Sequence, residues 1–213
     1  KLSIKDRLGL IRDMFALAEG GYIDTVTALD FSLAYKHETE YIVWAELASG
    51  IGKVNALFGD ETYKKYALSL FSPLASRMGW EQVKGEDHSH TFLRSLAISG
   101  AGSYGDKNII KHAQKLFKDR VKNPIRADIR STVYAIVAQN GTQKEWNLFK
   151  NLYLKEKMHE EQERYGRALA QFRDKKLLEQ TLNFAISKDV RTQDAPFMIG
   201  AVWGNVHGRD LTW

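Results

Sequence analysis

Apolar residues recur along this chain at steps of three and four. Ile4, Leu8, Ile11, Phe15 and Ala18 fall on one face of a helix. Gly20-Gly21 follows as a stop, because glycine adopts the left-handed conformation that closes a last turn at little steric cost. Asp24 opens a second apolar segment through Leu33, and Tyr41, Trp44, Ala48 and Ile51 begin a third. The spacing persists and predicts about eleven helices, over approximately 3–19, 22–34, 39–57, 60–78, 87–101, 106–120, 126–139, 143–155, 159–171, 174–186 and 192–203. Gly59, Gly79, Gly105, Asn123 and Gly141 punctuate them. Thr142-Gln143-Lys144-Glu145 reads as a capping box, in which the threonine oxygen and the glutamate each satisfy an orphaned backbone donor. Ile129, Val133, Ile136 and Val137 form a clean stripe, and Leu178, Leu182 and Ala185 a shorter one. No segment alternates as a strand does.

Short helices with short joints and no strands favour antiparallel pairs stacked in a row. The expected fold is therefore all-α, a right-handed α-α superhelix of the HEAT/armadillo solenoid kind, with a compact bundle as the rival. No strict internal repeat supports the solenoid, which rests on element lengths. No linker or low-complexity segment divides residues 1–213, so a single helical-repeat domain is expected.

Composition narrows the function. The 213 residues are 44% hydrophobic and 27% charged, which suits an ordinary globular core. No apolar run reaches the roughly 20 residues of a membrane-spanning helix. There is no cysteine, which removes disulfides, thiolate zinc sites and thiol nucleophiles, and fits a reducing compartment. A start at Lys1 without a charged-then-apolar leader, and a stop at Trp213, suggest a piece of something longer. The net charge of +5 permits an acidic partner without demanding one. Asn140-Gly141-Thr142 matches a glycosylation sequon, a pattern short enough to arise by chance.

Candidate chemistry is sparse. His159-Glu160-Glu161-Gln162-Glu163 begins like a zincin helix, but its fifth position is glutamate where a second imidazole is needed, and it reads as an acidic helix start. His88 and His90 are two apart and would sit on different sides of a helix; His112 lies among lysines. Gly100-Ala101-Gly102-Ser103-Tyr104-Gly105 matches G-x-G-x-x-G, yet it follows a helix rather than a strand and reads as a helix-ending loop. Neither a G-x-S-x-G elbow nor a phosphate-cradling loop is present. Lys107, Lys111, Lys115, Lys118 and Lys122 form a basic stripe, read as the wet side of an amphipathic helix whose other side is Ile109, Ile110, Ala113, Leu116 and Phe117. Aromatics do not interleave with these lysines, so no nucleic-acid partner is expected. Arg126, Arg130, Arg164 and Arg167 lie on or beside apolar helices, where they bridge helices to carboxylates or fork onto a bound peptide's carboxylate. Trp44, Trp80, Trp146 and Trp203 read as packing.

Five segments carry a resemblance: DRLGLIRDMFALA at 6–18, ETEYIVW at 38–44, FSPLASRMGWE at 71–81, ADIRSTVY at 127–134 and RTQDAPFMIGAVWGNVHGRDLTW at 191–213. In order and with similar spacing, they resemble the C-terminal helical domain of puromycin-sensitive aminopeptidases. Those belong to the aminopeptidase N group of zinc enzymes, with the endoplasmic-reticulum aminopeptidases. The resemblance implies a HEAT-like superhelix arching over a separate upstream catalytic domain, which carries the zinc, the H-E-x-x-H pair and the G-x-M-E-N stretch. None of these motifs is in this chain. It implies a cavity wall that holds peptide and limits its length, with the upstream domain of the same polypeptide and peptide substrates as partners.

It also implies that the segment Arg191-Thr192-Gln193-Asp194 approaches the active site, making Gln193 the leading substrate contact; Arg130, in a matching segment, and Arg126 and Arg167, from their place beside apolar helices, are further candidates. A tyrosine–lysine pair that grips the peptide C-terminus in some relatives corresponds to Asn55-Ala56 here, so that grip does not carry over. The family's domain continues past the position of Trp213. The expectations are thus no catalytic residue, no metal ligand and no cofactor within this chain, zinc in a parent aminopeptidase, and a cytoplasmic location. The rival reading is a stand-alone solenoid adaptor that binds a partner protein.

Overall fold

The computed structural model describes residues 2–212. Among them are eleven α-helices and no strand: α1 (Ile4–Glu19), α2 (Thr25–Ser32), α3 (Tyr41–Phe58), α4 (Glu61–Met78), α5 (His88–Tyr104), α6 (Lys107–Asp119), α7 (Ala127–Gln139), α8 (Gln143–Lys155), α9 (His159–Leu169), α10 (Lys175–Ala185) and α11 (Ala195–Gly204). Short 3-10 turns at Leu33–Tyr35 and Arg209–Leu211 complete them. The fold is all-α, and its successive helix pairs are consistent with a helical solenoid. The chain forms two compact units, one ending at Asp106 and one beginning at Lys107.

In the first unit α4 packs along α5, α1 against α2 and α3, and α3 against α5. The predicted stripe of α1 is buried at Ile11 and half-buried at Leu8, Phe15 and Ala18. Ile4, in the first turn, is exposed. Two helix crossings depend on the missing side chain of a glycine. A Cβ at Gly50 would lie 2.4 Å from the Phe15 ring, and one at Gly100 would lie 2.3 Å from Phe71. Gly100 and Gly102 therefore belong to the interior of α5, which corrects the helix-ending loop expected there. Close approach to Phe71 outweighs the low helix propensity of glycine. Only Gly105, with φ of 103°, ends the helix in the left-handed region.

Charged groups pin the joints of this unit. Glu38 precedes α3 and accepts from Arg7 Nε at 2.6 Å and from the backbone N–H groups of Thr39 and Glu40 at 2.7 and 2.9 Å. Burial pushes its carboxyl pKa up, but these donors together outweigh burial and hold it below the usual range. Its carbonyl accepts from Trp44 Nε1 at 2.9 Å and from Arg77 at 2.6 Å, so one residue ties α1, α3 and α4. Arg94 on α5, 1% exposed, forks onto Glu86 with both bonds at 2.6 Å. This fork holds the Glu86 carboxyl down at about 2.

The second unit pairs α6 with α7, α8 with α9, α7 with α9 and α10 with α11. Its centre is aromatic. Phe117 and Phe149 lie 4.9 Å apart, Tyr134 stacks on Tyr165 at 5.2 Å, and Tyr134 meets Phe149 edge-on at 5.8 Å. The expected capping box is present, with Thr142 and Glu145 satisfying each other's backbone donors. Trp146 is buried as expected, and its Nε1 donates to the fully buried Thr181 hydroxyl at 2.9 Å. That hydroxyl can donate to Leu169 or Leu177 carbonyls, so α8, α9 and α10 share one hydrogen-bonded corner. Trp203, by contrast, is 53% exposed on the outer side of α11, which corrects its reading as packing.

Two outcomes follow from these contacts. Glu86 is depressed in the folded state, so its contribution is complete above the ordinary carboxylate pKa and is lost as pH falls from there towards about 2. Acid titration of the melting temperature should show Glu86→Gln less steeply dependent on pH than the wild type across that window. Thr181→Val keeps the shape but leaves the buried Trp146 N–H without an acceptor. Urea unfolding followed by tryptophan fluorescence should register a loss of about 1–3 kcal/mol.

Candidate functional site

Helix α9 carries most of the polar chemistry of the second unit. Its sequence HEEQERYGRAL places Glu161, Tyr165, Ala168 and Leu169 inwards, while His159, Glu163 and Arg167, four apart, line a second side. Glu160 and Glu161 lie in the first turn, as an acidic helix start predicts. Glu161 is nonetheless buried, although an acidic helix start is ordinarily solvated.

Burial of Glu161 explains the arginines. Arg130 on α7 donates to Glu161, and its Nε and one terminal nitrogen reach the Ile125 carbonyl at 3.1 and 3.0 Å. Arg164 donates to Glu161 and to Glu160. Arg126 forks onto Asp128 at 3.1 and 2.7 Å, at the start of α7. Arg167 is 71% exposed and meets Glu163 at only 3.4 Å. Bridging to carboxylates thus accounts for Arg126, Arg130 and Arg164, and leaves Arg167 the loosely held guanidinium of the four.

The second side of α9 meets the start of α11. His159 Nε2 lies 3.1 Å from Glu163 Oε1 and 3.7 Å from Asp194 Oδ1. His159 Nδ1 is 3.0 Å from Arg191 Nη1. A guanidinium only donates, so Nδ1 accepts and the imidazole proton sits on Nε2, facing Glu163. Arg191 Nε stands 3.7 Å from Asp194 Oδ2. Beside this group opens a small cavity of about 70 Å³, lined by Tyr153, Glu163, Gly166, Arg167, Asp194, Phe197 and Met198. Its walls are apolar, and its polar groups are two carboxylates and the Arg167 guanidinium. Gln193 is exposed in the turn immediately before the cavity-lining Asp194.

Arg167 lines this cavity, and Gln193 is exposed one residue before its wall at Asp194. Arg130 lies in the neighbouring network centred on Glu161, and Arg126 in a local pair with Asp128. Sequence reading does not join Arg191 and Asp194 to His159, since only the fold brings together residues 32 and 35 positions apart. The His159–Glu163 spacing of four was the one visible signal. The α6 lysines at 107, 111, 115 and 118 are exposed opposite buried Ile109, Ala113 and Phe117, the arrangement of a solvated helix face. No helix among the described residues is long and apolar enough to cross a membrane.

Comparison with known proteins supplies the context of this surface. Residues 1–213 match the model of the family described as ERAP1-like C-terminal domain. Relatives include aminopeptidase M1-A of Oryza sativa subsp. japonica, 29% identical over 226 residues, which covers 100% of this chain and 26% of that protein. Glutamyl aminopeptidases of Bitis rhinoceros and Homo sapiens are each 28% identical, covering 99% of this chain and 23% of theirs. The chain thus spans about a quarter of the length of the curated relatives it matches. With a family match from end to end, and an all-α fold that accommodates it, this chain belongs to the ERAP1-like C-terminal domain family.

Proposed function

We propose that this chain is the non-catalytic C-terminal domain of a zinc-dependent aminopeptidase, where it walls the active-site cavity, contacts the peptide and helps select its length. The carrying observation is end-to-end similarity to aminopeptidases that are about four times longer. Such a protein has room for an upstream catalytic domain in the same polypeptide. The residues of this chain do not fit the hydrolytic zinc of that group, since Glu163 stands where the H-E-x-x-H pattern needs an imidazole. Zinc and the scissile chemistry are accordingly assigned to the upstream domain. The stand-alone adaptor has no observation in its favour once the whole chain matches aminopeptidases.

Gln193 and Arg167 are the proposed peptide contacts. Both are exposed, and Arg167 lines the cavity while holding its carboxylate at a long distance. Such a guanidinium can exchange Glu163 for a peptide carboxylate at little cost. Arg130 and Arg126 are proposed to contribute charge rather than direct contact, because Glu161 and Asp128 already engage their donors. The cysteine-free sequence supports the cytoplasm as the compartment.

In the full-length enzyme, Arg167→Ala should raise KM for longer peptides by roughly 10-fold, the loss expected of one charged hydrogen bond. Gln193→Ala should have a smaller effect in the same direction, and both should leave zinc content unchanged. Unaltered kinetics across a series of peptide lengths would remove both residues from the site. The isolated chain, incubated with aminoacyl fluorogenic substrates and Zn²⁺, should release no product; chelator-sensitive turnover would overturn the assignment.

A further inference from the structure

We propose that His159, Glu163 and Asp194 form a site for a first-row divalent cation of the Zn²⁺ type. The ligand atoms of the three residues all lie within 4.8 Å of one another. His159 and Glu163 share one side of α9, and Asp194 comes from the start of α11, so two rigid elements fix the set. A tetrahedral ion with nitrogen and oxygen ligands at ~2.0–2.2 Å has ligand–ligand edges of roughly 3.3–3.6 Å. The observed edges at His159 Nε2, 3.1 and 3.7 Å, straddle that value.

Asp194 supplies the independent sign of a ligand. It is the N-cap of α11, yet its side chain makes no capping bond. The reason is local. Pro196 occupies the second helical position and has no N–H to offer, and the Phe197 N–H is taken by the Asp194 carbonyl at 3.1 Å. The carboxylate is thereby released, and it turns towards His159. Asp194 is 8% exposed, and its Oδ2 is buried without a hydrogen-bond partner, the half-exposed Arg191 Nε standing 3.7 Å away, beyond hydrogen-bond distance. Such an atom is costly to keep unless something positive meets it.

The groups facing this cluster are Arg191 and Arg167. Their contacts to Asp194 and Glu163 are long, 3.7 and 3.4 Å, and both side chains are at least half exposed. Two carboxylates and a neutral imidazole balance a divalent ion, so both guanidiniums can swing into solvent when it binds. Binding at Nε2 moves the imidazole proton to Nδ1, which then cannot accept from Arg191. Arg191 is therefore the competitor that the ion displaces. Three protein ligands leave a fourth position for water or a ligand oxygen.

The test is calorimetric titration of Zn²⁺ into the metal-stripped 213-residue chain, with far-ultraviolet circular dichroism of every variant. One equivalent should bind. His159→Ala, Glu163→Gln and Asp194→Asn should each weaken it ~10-fold or more. The exposed pair His88→Ala/His90→Ala should leave it unchanged, and Arg191→Ala should strengthen it by removing the competing cation. Absence of Zn²⁺ binding to the helical wild type would overturn the proposal. So would equal affinity in the three ligand variants, or a loss confined to the His88/His90 variant.

Discussion

Taking a guanidinium out of water costs several kcal/mol unless a carboxylate meets it with good geometry, and stacked short helices make such burial hard to avoid. Each joint brings helix ends, loop backbone and long side chains into a narrow space. In the first unit the carboxylates that answer this demand sit in the joints themselves: Glu38 before α3 and Glu86 before α5. Pairing therefore does more than neutralise charge. It fixes where each loop lies against the helix behind it, as the contacts of Glu38 to α1 and of its carbonyl to α4 make plain. The apolar faces supply the larger stabilisation, and the ion pairs select one arrangement of those faces.

The same requirement decides which arginines are left to meet a ligand. Glu161 is carried inwards by the turn that buries Tyr165 and Leu169, and it then needs Arg130 and Arg164 on either side. A guanidinium engaged in that way has little left for a peptide. Arg167 lies on the outer side of α9, six positions beyond the inward Glu161, and its partner is the half-exposed Glu163. The division between structural and available arginine on one short helix follows from which side of the cylinder each occupies.

Spacing alone revealed the eleven helices, because their apolar stripes have the helical period and their stops carry glycine or a capping residue. It ended α5 too early, since glycine reads as a breaker unless Phe71, 29 residues away, is known to lie against it. It also assigned Trp203 to the interior, although α11 is apolar on nearly every side and so gives no indication of which side faces out. The site was less legible than the fold. Gln193, Arg130, Arg126 and Arg167 could be named, but the partners that sort them lie on other helices. Arg130 meets a carboxylate 31 positions on, and His159 meets one 35 positions on. Helical period places residues on a side of one cylinder and says nothing of what stands opposite.

Asp194 shows how a local rule broken in one place can mark chemistry in another. Asp60, Asp87 and Asp174 each begin a helix and accept a backbone N–H at 2.7–2.8 Å, as capping predicts. Asp24 makes no such bond, but its side chain is exposed to solvent. Asp194 makes none and is buried. Proline two residues on removes one donor, and the chain's own carbonyl takes the next, so the usual role is closed to it. A buried carboxylate denied its cap, turned to a histidine and bordering a cavity is placed to hold a cation, which ties the start of α11 to the outer side of α9.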